Sequence, residues 1–292
     1  MTATAAPKQS WRTIRLDVLA RIEEMPSLNR VVTEFLALAG RDVYSARDFE
    51  TVLSKDQALV ARLLKLANSG MFGRAGSVRS IPEAVVLIGL ENLKKIVYAV
   101  SASGHMRKSL VHYGYNPEEG FWMHGLGVAQ AACVVAEAAP KCPLRGEEAY
   151  VAGLLHDIGK LVIDEFLDVT PETIINLDLE SEAVGLQHAE LAEFILHQWN
   201  LPEAITGAVL HHHDHAAGGE HALGTAALYL GERICARWRV GRVVPLDLGE
   251  DIPADDYAPV LELLGIAPAA WGRIIWDIRQ RLVGLEGAYL GE

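Results

Sequence analysis

Cysteine is scarce in this chain, positive charge is outnumbered and long apolar runs are missing. The three cysteines, Cys133, Cys142 and Cys235, are odd in number and form no CxxC pair, so a disulfide framework is excluded and a reducing, cytoplasmic setting is expected. Lys and Arg number 26 against 38 Asp and Glu, a formal net charge of -12. General binding to nucleic acid or to an anionic membrane needs a basic surface, and this balance argues against both. No stretch approaches about 18 apolar residues, and the N-terminus has no continuous apolar core, so neither a membrane span nor a secretory signal is expected. Strand-like alternation of apolar and polar residues is absent too.

What is present is a 3.6-residue apolar period along nearly the whole chain, in which 50% of residues are hydrophobic. This predicts an all-α protein with a large core. Ile14, Val18 and Ile22 define a first helix ending at Pro26; 28–38 forms a second, ending at Gly40. Ser45 and Asp48 resemble a capping box, and Leu59, Leu63 and Leu66 make a stripe that stops at Asn68-Ser69-Gly70. Ser80 with Pro82 opens a helix that Gly89 breaks, and a longer one follows from Glu91 toward Met106. The segment His112-Tyr113-Gly114-Tyr115 reads as a boundary. Residues 1–13 are then a tail, 14–112 an N-terminal helical subdomain, 116–240 a second helical subdomain, and 241–292 a connecting loop with C-terminal helices. Asn116-Pro117-Glu118-Glu119 reads as a helix start, with further helices over 147–163, 170–177, 181–199, 202–211, 222–238, 258–264 and 269–285.

Within this apolar pattern, Gly153-Leu154-Leu155-His156-Asp157-Ile158-Gly159-Lys160 puts two metal-competent groups where packing favours none. His124, His188 and His212 interrupt apolar stripes on three other predicted helices, and His211 adjoins the last of them. One buried histidine is ordinarily a satisfied core residue. Five such positions together reverse that reading, since burying them unpaired would cost about 1–3 kcal/mol each, whereas imidazoles and carboxylates bind divalent metals. Neighbours His156 and Asp157 lie about 100° apart around a helix, so both reach one metal only near a helix end, or with one bridging two ions. Lys160 suits a grip on an anion or, equally, an exposed helix end. His213, His215 and His221 read as solvated loop residues, and His105, His112 and His197 have no partner in the pattern.

The order His124, His156-Asp157, His188, His211-His212 resembles the HD superfamily of metal-dependent phosphohydrolases, with Glu232 at the place of that pattern's late Asp. The resemblance implies that His124, His156, Asp157 and Glu232 hold one divalent ion (Fe, Mn, Zn, Ni or Mg), and that His188 with His211 or His212 completes a second. Four segments, Met25-Pro26-Ser27-Leu28, Ser54-Lys55-Asp56-Gln57-Ala58-Leu59, Leu63-Leu64-Lys65-Leu66-Ala67-Asn68-Ser69 and Ile81-Pro82-Glu83-Ala84-Val85-Val86-Leu87-Ile88-Gly89, look like the successive signatures of the HDOD domain, an HD-related output domain of bacterial signalling proteins. Together the resemblances span about 19–238 and imply an N-terminal helical subdomain packed on an HD-like bundle.

The family implies a regulatory protein that acts through signalling partners and keeps the metal site without strong catalysis. The alternative is a phosphohydrolase of a nucleotide or cyclic nucleotide, with Asp157 and Lys160 as its catalytic groups. Glu232 is one methylene longer than the Asp of the enzymes. The sequence from His213 to Leu223 also lacks the Gly-Tyr-Pro element of the HD-GYP cyclic-dinucleotide phosphodiesterases. The two halves and terminal helices use nearly all of the chain, so no fused sensor, receiver or DNA-binding domain is expected, and signals are expected to pass through non-covalent partners or the segment 245–264.

Overall fold

The computed structural model describes residues 16–25, 29–41, 43–68, 78–170 and 172–289, with side chains as far as 285. The expected tail 1–13, together with Ile14, Pro26, Leu28, Ser69 and Gly70, lies outside the described residues. Secondary structure among the described residues is helical apart from one isolated bridge between Tyr115 and Arg242. None of these helices is by itself long and apolar enough to cross a membrane.

The first helices begin and end where side chains satisfy backbone groups. Helix α1, Leu16–Glu23, buries Val18 and Ile22. Helix α2, Arg30–Ala39, opens on Asn29, whose Oδ1 accepts from Val31 N at 3.0 Å, and closes on Gly40. Helix α3, Ala46–Leu53, carries the expected reciprocal box of Ser45 and Asp48. Helix α4, Gln57–Ala67, turns Leu59, Leu63 and Leu66 into the core. Asn68 ends it with Nδ2 donating to the Leu64 carbonyl at 2.9 Å and the Val78 carbonyl at 2.7 Å, while Oδ1 accepts from Val78 N at 2.8 Å. That side chain therefore both caps a helix and pins the chain ten residues on.

Helix α5, Ile81–Met106, is interrupted at Gly89, whose φ of 81° lies in the left-handed region that glycine adopts without strain. It packs on α2, α3 and α4 and also on α6, Gly120–Ala138, and α7, Gly146–Leu155, so it is the wall shared by the two halves. The start of α6 differs from the sequence reading. Residues 116–119 form a turn in which Asn116 N donates to the Gly241 carbonyl and Glu119 is left-handed, so the helix waits until Gly120.

The remaining helices are α8, Lys160–Ile163; α9, Leu177–Val184; α10, His188–Gln198; α11, Glu203–Leu210; α12, Ala222–Arg237; α13, Ala258–Leu264; and α14, Pro268–Tyr289. Three expected helices change. Residues 172–176 are not helical, because Asn176 caps α9 by accepting from Leu179 N, and the expected helix over 181–199 is split by Gly185 at φ 84°. The expected helix over 147–163 likewise breaks into α7 and α8. Helices α6, α7 and α12 pack together as the centre of the second half, with α11 against α7 and α12 and α14 against α6. The break after α7 and the break at Gly185 each set a histidine at a helix end, His156 and His188.

Candidate metal centre

The break between α7 and α8 carries the His-Asp doublet. His156 follows the last residue of α7, and its Nδ1 donates back to the Gly153 carbonyl at 2.8 Å. His124, on α6, donates from Nδ1 to the Val240 carbonyl at 3.3 Å. Val240 reaches it because Gly241 has φ 74° and no side chain; a Cβ there would lie 2.0 Å from the Gly120 carbonyl oxygen. His212, just past α11, donates from Nδ1 to the Val209 carbonyl at 2.7 Å. His188 opens α10, and its Nδ1 lies 2.8 Å from both carboxylate oxygens of Glu180.

A carbonyl or carboxylate oxygen only accepts, so all four Nδ1 atoms carry the proton and, in the neutral rings, all four Nε2 atoms present lone pairs. Those lone pairs converge. His124 Nε2 is 2.9 Å from Glu232 Oε2 and 3.8 Å from Asp157 Oδ2. His156 Nε2 is 3.3 Å from each of the same two oxygens. On the other side of Asp157, Oδ1 is 3.1 Å from His188 Nε2 and 3.8 Å from His212 Nε2. His213 Nε2 completes this second group at 2.9 Å from His188 Nε2. One oxygen of Asp157 thus faces each group of histidines.

His124, His156, Asp157, His188 and His212 are each at most 1% exposed. Burial first pushes His124 down in pKa, against the pull of Glu232, and pushes His212 well down with the neighbouring histidines adding to it, which favours neutral rings. Burial opposes charge on His156 as well, but the carboxylates of Asp157 and Glu232 outweigh it and lift this ring to about 10. For Asp157, burial favours the neutral acid, yet His156 and Lys160 hold it well below the usual carboxylate range. Glu232 is held down in the same way by His124 and His156. The pocket is built to favour positive charge at its centre.

The residues fit a divalent metal on this count. His124 Nε2, His156 Nε2, Asp157 Oδ1 and Glu232 Oε2 are buried without a hydrogen bond of good geometry. Lone pairs of nitrogen facing lone pairs of carboxylate repel unless a cation or proton sits between them. Two ligands of a tetrahedral ion at about 2.1 Å lie roughly 3.4 Å apart, and the donor separations of 2.9–3.8 Å bracket that spacing. The groups His124, His156, Asp157 and His188, His212, His213 each bring one donor atom apiece within 4.8 Å of one another.

Against the sequence reading, the structure gathers His124, His156, Asp157, His188, His212 and Glu232, and leaves His211 out. His211 ends α11 facing His221 and Asp214, and the ring that enters is His213, read from sequence as a solvated loop residue. The chain turns after Leu210, and His212 and His213 both reach the centre while His211 does not. Glu232, despite its extra methylene, reaches both histidines of its group. Lys160 is not an exposed helix end: it is buried, with Nζ 2.5 Å from Asp157 Oδ2 and 3.2 Å from Tyr115 Oη. Three supporting residues were missed. Tyr115 donates to Asp157 Oδ2 at 2.7 Å, Arg242 stacks 4.5 Å from the Tyr115 ring centroid, and Glu180 holds His188. Only the eight-residue spacing of Glu180 and His188 across Gly185 offered a signal.

An all-helical protein with histidines and one aspartate converging from four helices and their ends is of the HD type. A family model, the HDOD domain, matches residues 25–215. The chain belongs to the HDOD domain family. It is similar to the crystal structure of an HDOD domain protein of unknown function from Geobacter sulfurreducens, at 25% identity and TM-score 0.69, covering 91% of this chain and 95% of that one. It also shares its fold with a protein from Shewanella amazonensis SB2B whose name proposes a phosphohydrolase, at 21% identity and TM-score 0.69, covering 93% of this chain and 98% of that one. An uncharacterised protein of Treponema pallidum (strain Nichols) is 30% identical over 212 residues, 66% of this chain. The chain spans 38% of the length of that relative.

Proposed function

We propose that this protein is an HDOD-type signalling protein that holds divalent metal at the buried His/Asp centre and acts through protein partners. One observation supports the metal reading: four histidines have their outer nitrogens tied to acceptors, and their inner Nε2 atoms meet each other and the carboxylates of Asp157 and Glu232. His124, His156, Asp157 and Glu232 would hold one ion; His188, His212, His213 and the second oxygen of Asp157 would hold another. Mixed imidazole and carboxylate donors suit Fe, Mn, Zn or Ni better than Mg. When bound, such an ion supplies Lewis acidity and lowers the pKa of a water. Tyr115 and Lys160 orient Asp157 and neutralise it, and Glu180 orients His188.

A second reading is supported by Asp157, which offers one oxygen to each group, an arrangement suited to two ions and hence to hydrolysis of a nucleotide or cyclic nucleotide phosphate. The regulatory reading ranks first because Lys160, the cation nearest the centre, is committed to Asp157 and Tyr115 rather than directed at a substrate. Elemental analysis by plasma mass spectrometry of the wild type beside His156→Ala and Asp157→Asn tests the metal. Near-stoichiometric metal that both variants lose supports the centre and justifies a phosphohydrolase screen; wild-type protein that stays metal-free after reconstitution refutes it.

A further inference from the structure

The two halves of the centre are built differently. Of the four histidines whose Nδ1 is tied to an acceptor, three lean on neutral backbone carbonyls, of Val240, Gly153 and Val209. His188 alone leans on a carboxylate. Glu180 is 1% exposed, sits on α9, and spends both oxygens on His188: Oε1 and Oε2 lie 2.8 Å from Nδ1, and Oε2 also accepts from His188 N at 2.8 Å. Gly185, left-handed between α9 and α10, folds the two residues onto each other. A carboxylate behind an imidazole fixes the ring's tautomer and orientation and makes its free nitrogen a stronger donor. The other half carries an opposing feature. Lys160 Nζ, 2.5 Å from Asp157 Oδ2, places a resident cation on the oxygen that half would use.

We infer that Glu180 is a positioning residue for His188 and that it makes the His188, His212, His213 half the tighter one, so that metal loads there first and at the His124, His156, Glu232 half second. This rests on the metal reading above. Loading is ordered because Glu180 strengthens His188 from behind, whereas the other half, which has Glu232 as its own carboxylate donor, meets Lys160 on the Asp157 oxygen it would use. A protein loaded only in its first half would differ in charge at Asp157 from one loaded in both, which gives the centre two metal-dependent states for a partner to read.

The test is titration of the full metal-free chain with Co²⁺, followed by calorimetry and by the visible absorption of bound cobalt. Wild type is expected to bind in two steps. Glu180→Gln keeps the shape and an acceptor for His188 N, and is expected to weaken the first step by about 10–100-fold and shift its absorption band, leaving the second within about two-fold. Lys160→Met is expected to strengthen the second step and spare the first, an independent check should Glu180→Gln fold poorly. Equal weakening of both steps by Glu180→Gln, or a lower melting temperature of the metal-free variant with unchanged binding, overturns the positioning role. So does unchanged binding in Lys160→Met for the ordered loading. Wild type that takes up no cobalt overturns the metal reading itself, and this assignment with it.

Discussion

Replacing Gly159 with alanine sets two physical effects against each other. Gly159 has ordinary helical angles, φ -60° and ψ -27°, at the start of α8. By backbone preference alone, alanine would stabilise that position by about 1 kcal/mol. Packing opposes this, because a Cβ at 159 would lie 2.1 Å from the His188 carbonyl oxygen and 3.0 Å from Ala192 N, where ordinary contact begins near 3.4 Å. These are backbone atoms of α10 and cannot rotate away, so the cost should lie near the upper end of overpacking, about 3 kcal/mol. The net loss is then about 2 kcal/mol, a fall of roughly 4–8 °C in melting temperature. The same push separates α10 from the His156-Asp157 turn and moves His188 from Asp157, so metal affinity should fall too. Thermal melts and cobalt titration of Gly159→Ala check both. A variant that melts at or above wild type would refute the close approach of α8 and α10 on which the centre depends.

Asp157→Ala should melt far earlier than Asp157→Asn even without metal, by about 3–5 kcal/mol in urea unfolding, because it strands the buried Lys160 cation while Asn keeps an acceptor for Lys160 and Tyr115. His213→Ala should reduce metal affinity and His211→Ala should not, read by the same titration; the reverse result would restore the sequence assignment. Glu165 is held at about 2, first by its hydrogen bond from Arg21 and then by Lys108, so its contribution is complete above the ordinary carboxylate value near 4.5 and is lost as pH falls through about 2. With 34% of its side chain exposed, that tie is worth less than about 1 kcal/mol, and hydrogen exchange should show α1 loosening from α8 in this window before the bundle opens.

Much of the fold was legible because it rests on local rules. The box at Ser45 and Asp48, the cap at Asn68, the breaks at Gly40 and Gly89, and the stripe of Leu59, Leu63 and Leu66 stand where side-chain chemistry within a few residues puts them. The misreadings cluster near the buried histidines and Asp157. The helices over 147–163 and 181–199 read as continuous because apolar periodicity runs through both breaks, although Gly159 beside the first and Gly185 with the box of Gln187 and Glu190 at the second are local marks of a new start. Those breaks bring neighbours such as His156 and Asp157 to bear on one point, which a continuous helix forbids.

The sequence by itself determined an all-α chain, an excess of acidic over basic residues, and the identity of six of the seven side chains that converge. Periodicity and capping act over one or two turns, and a polar group inside an apolar stripe is visible without coordinates. Only the tertiary structure decided that His213 enters and His211 does not, that Asp157 divides its two oxygens between two groups, and that Glu180, Tyr115, Lys160 and Arg242 support them. These include contacts between residues far apart in the chain, such as His124 with Val240, 116 positions on. They depend on how α6, α7, α10, α11 and α12 cross, and on glycines at 159 and 241 that permit backbone to touch backbone. The direction of a side chain at a helix end is set by the packing beyond it, and no local pattern encodes that.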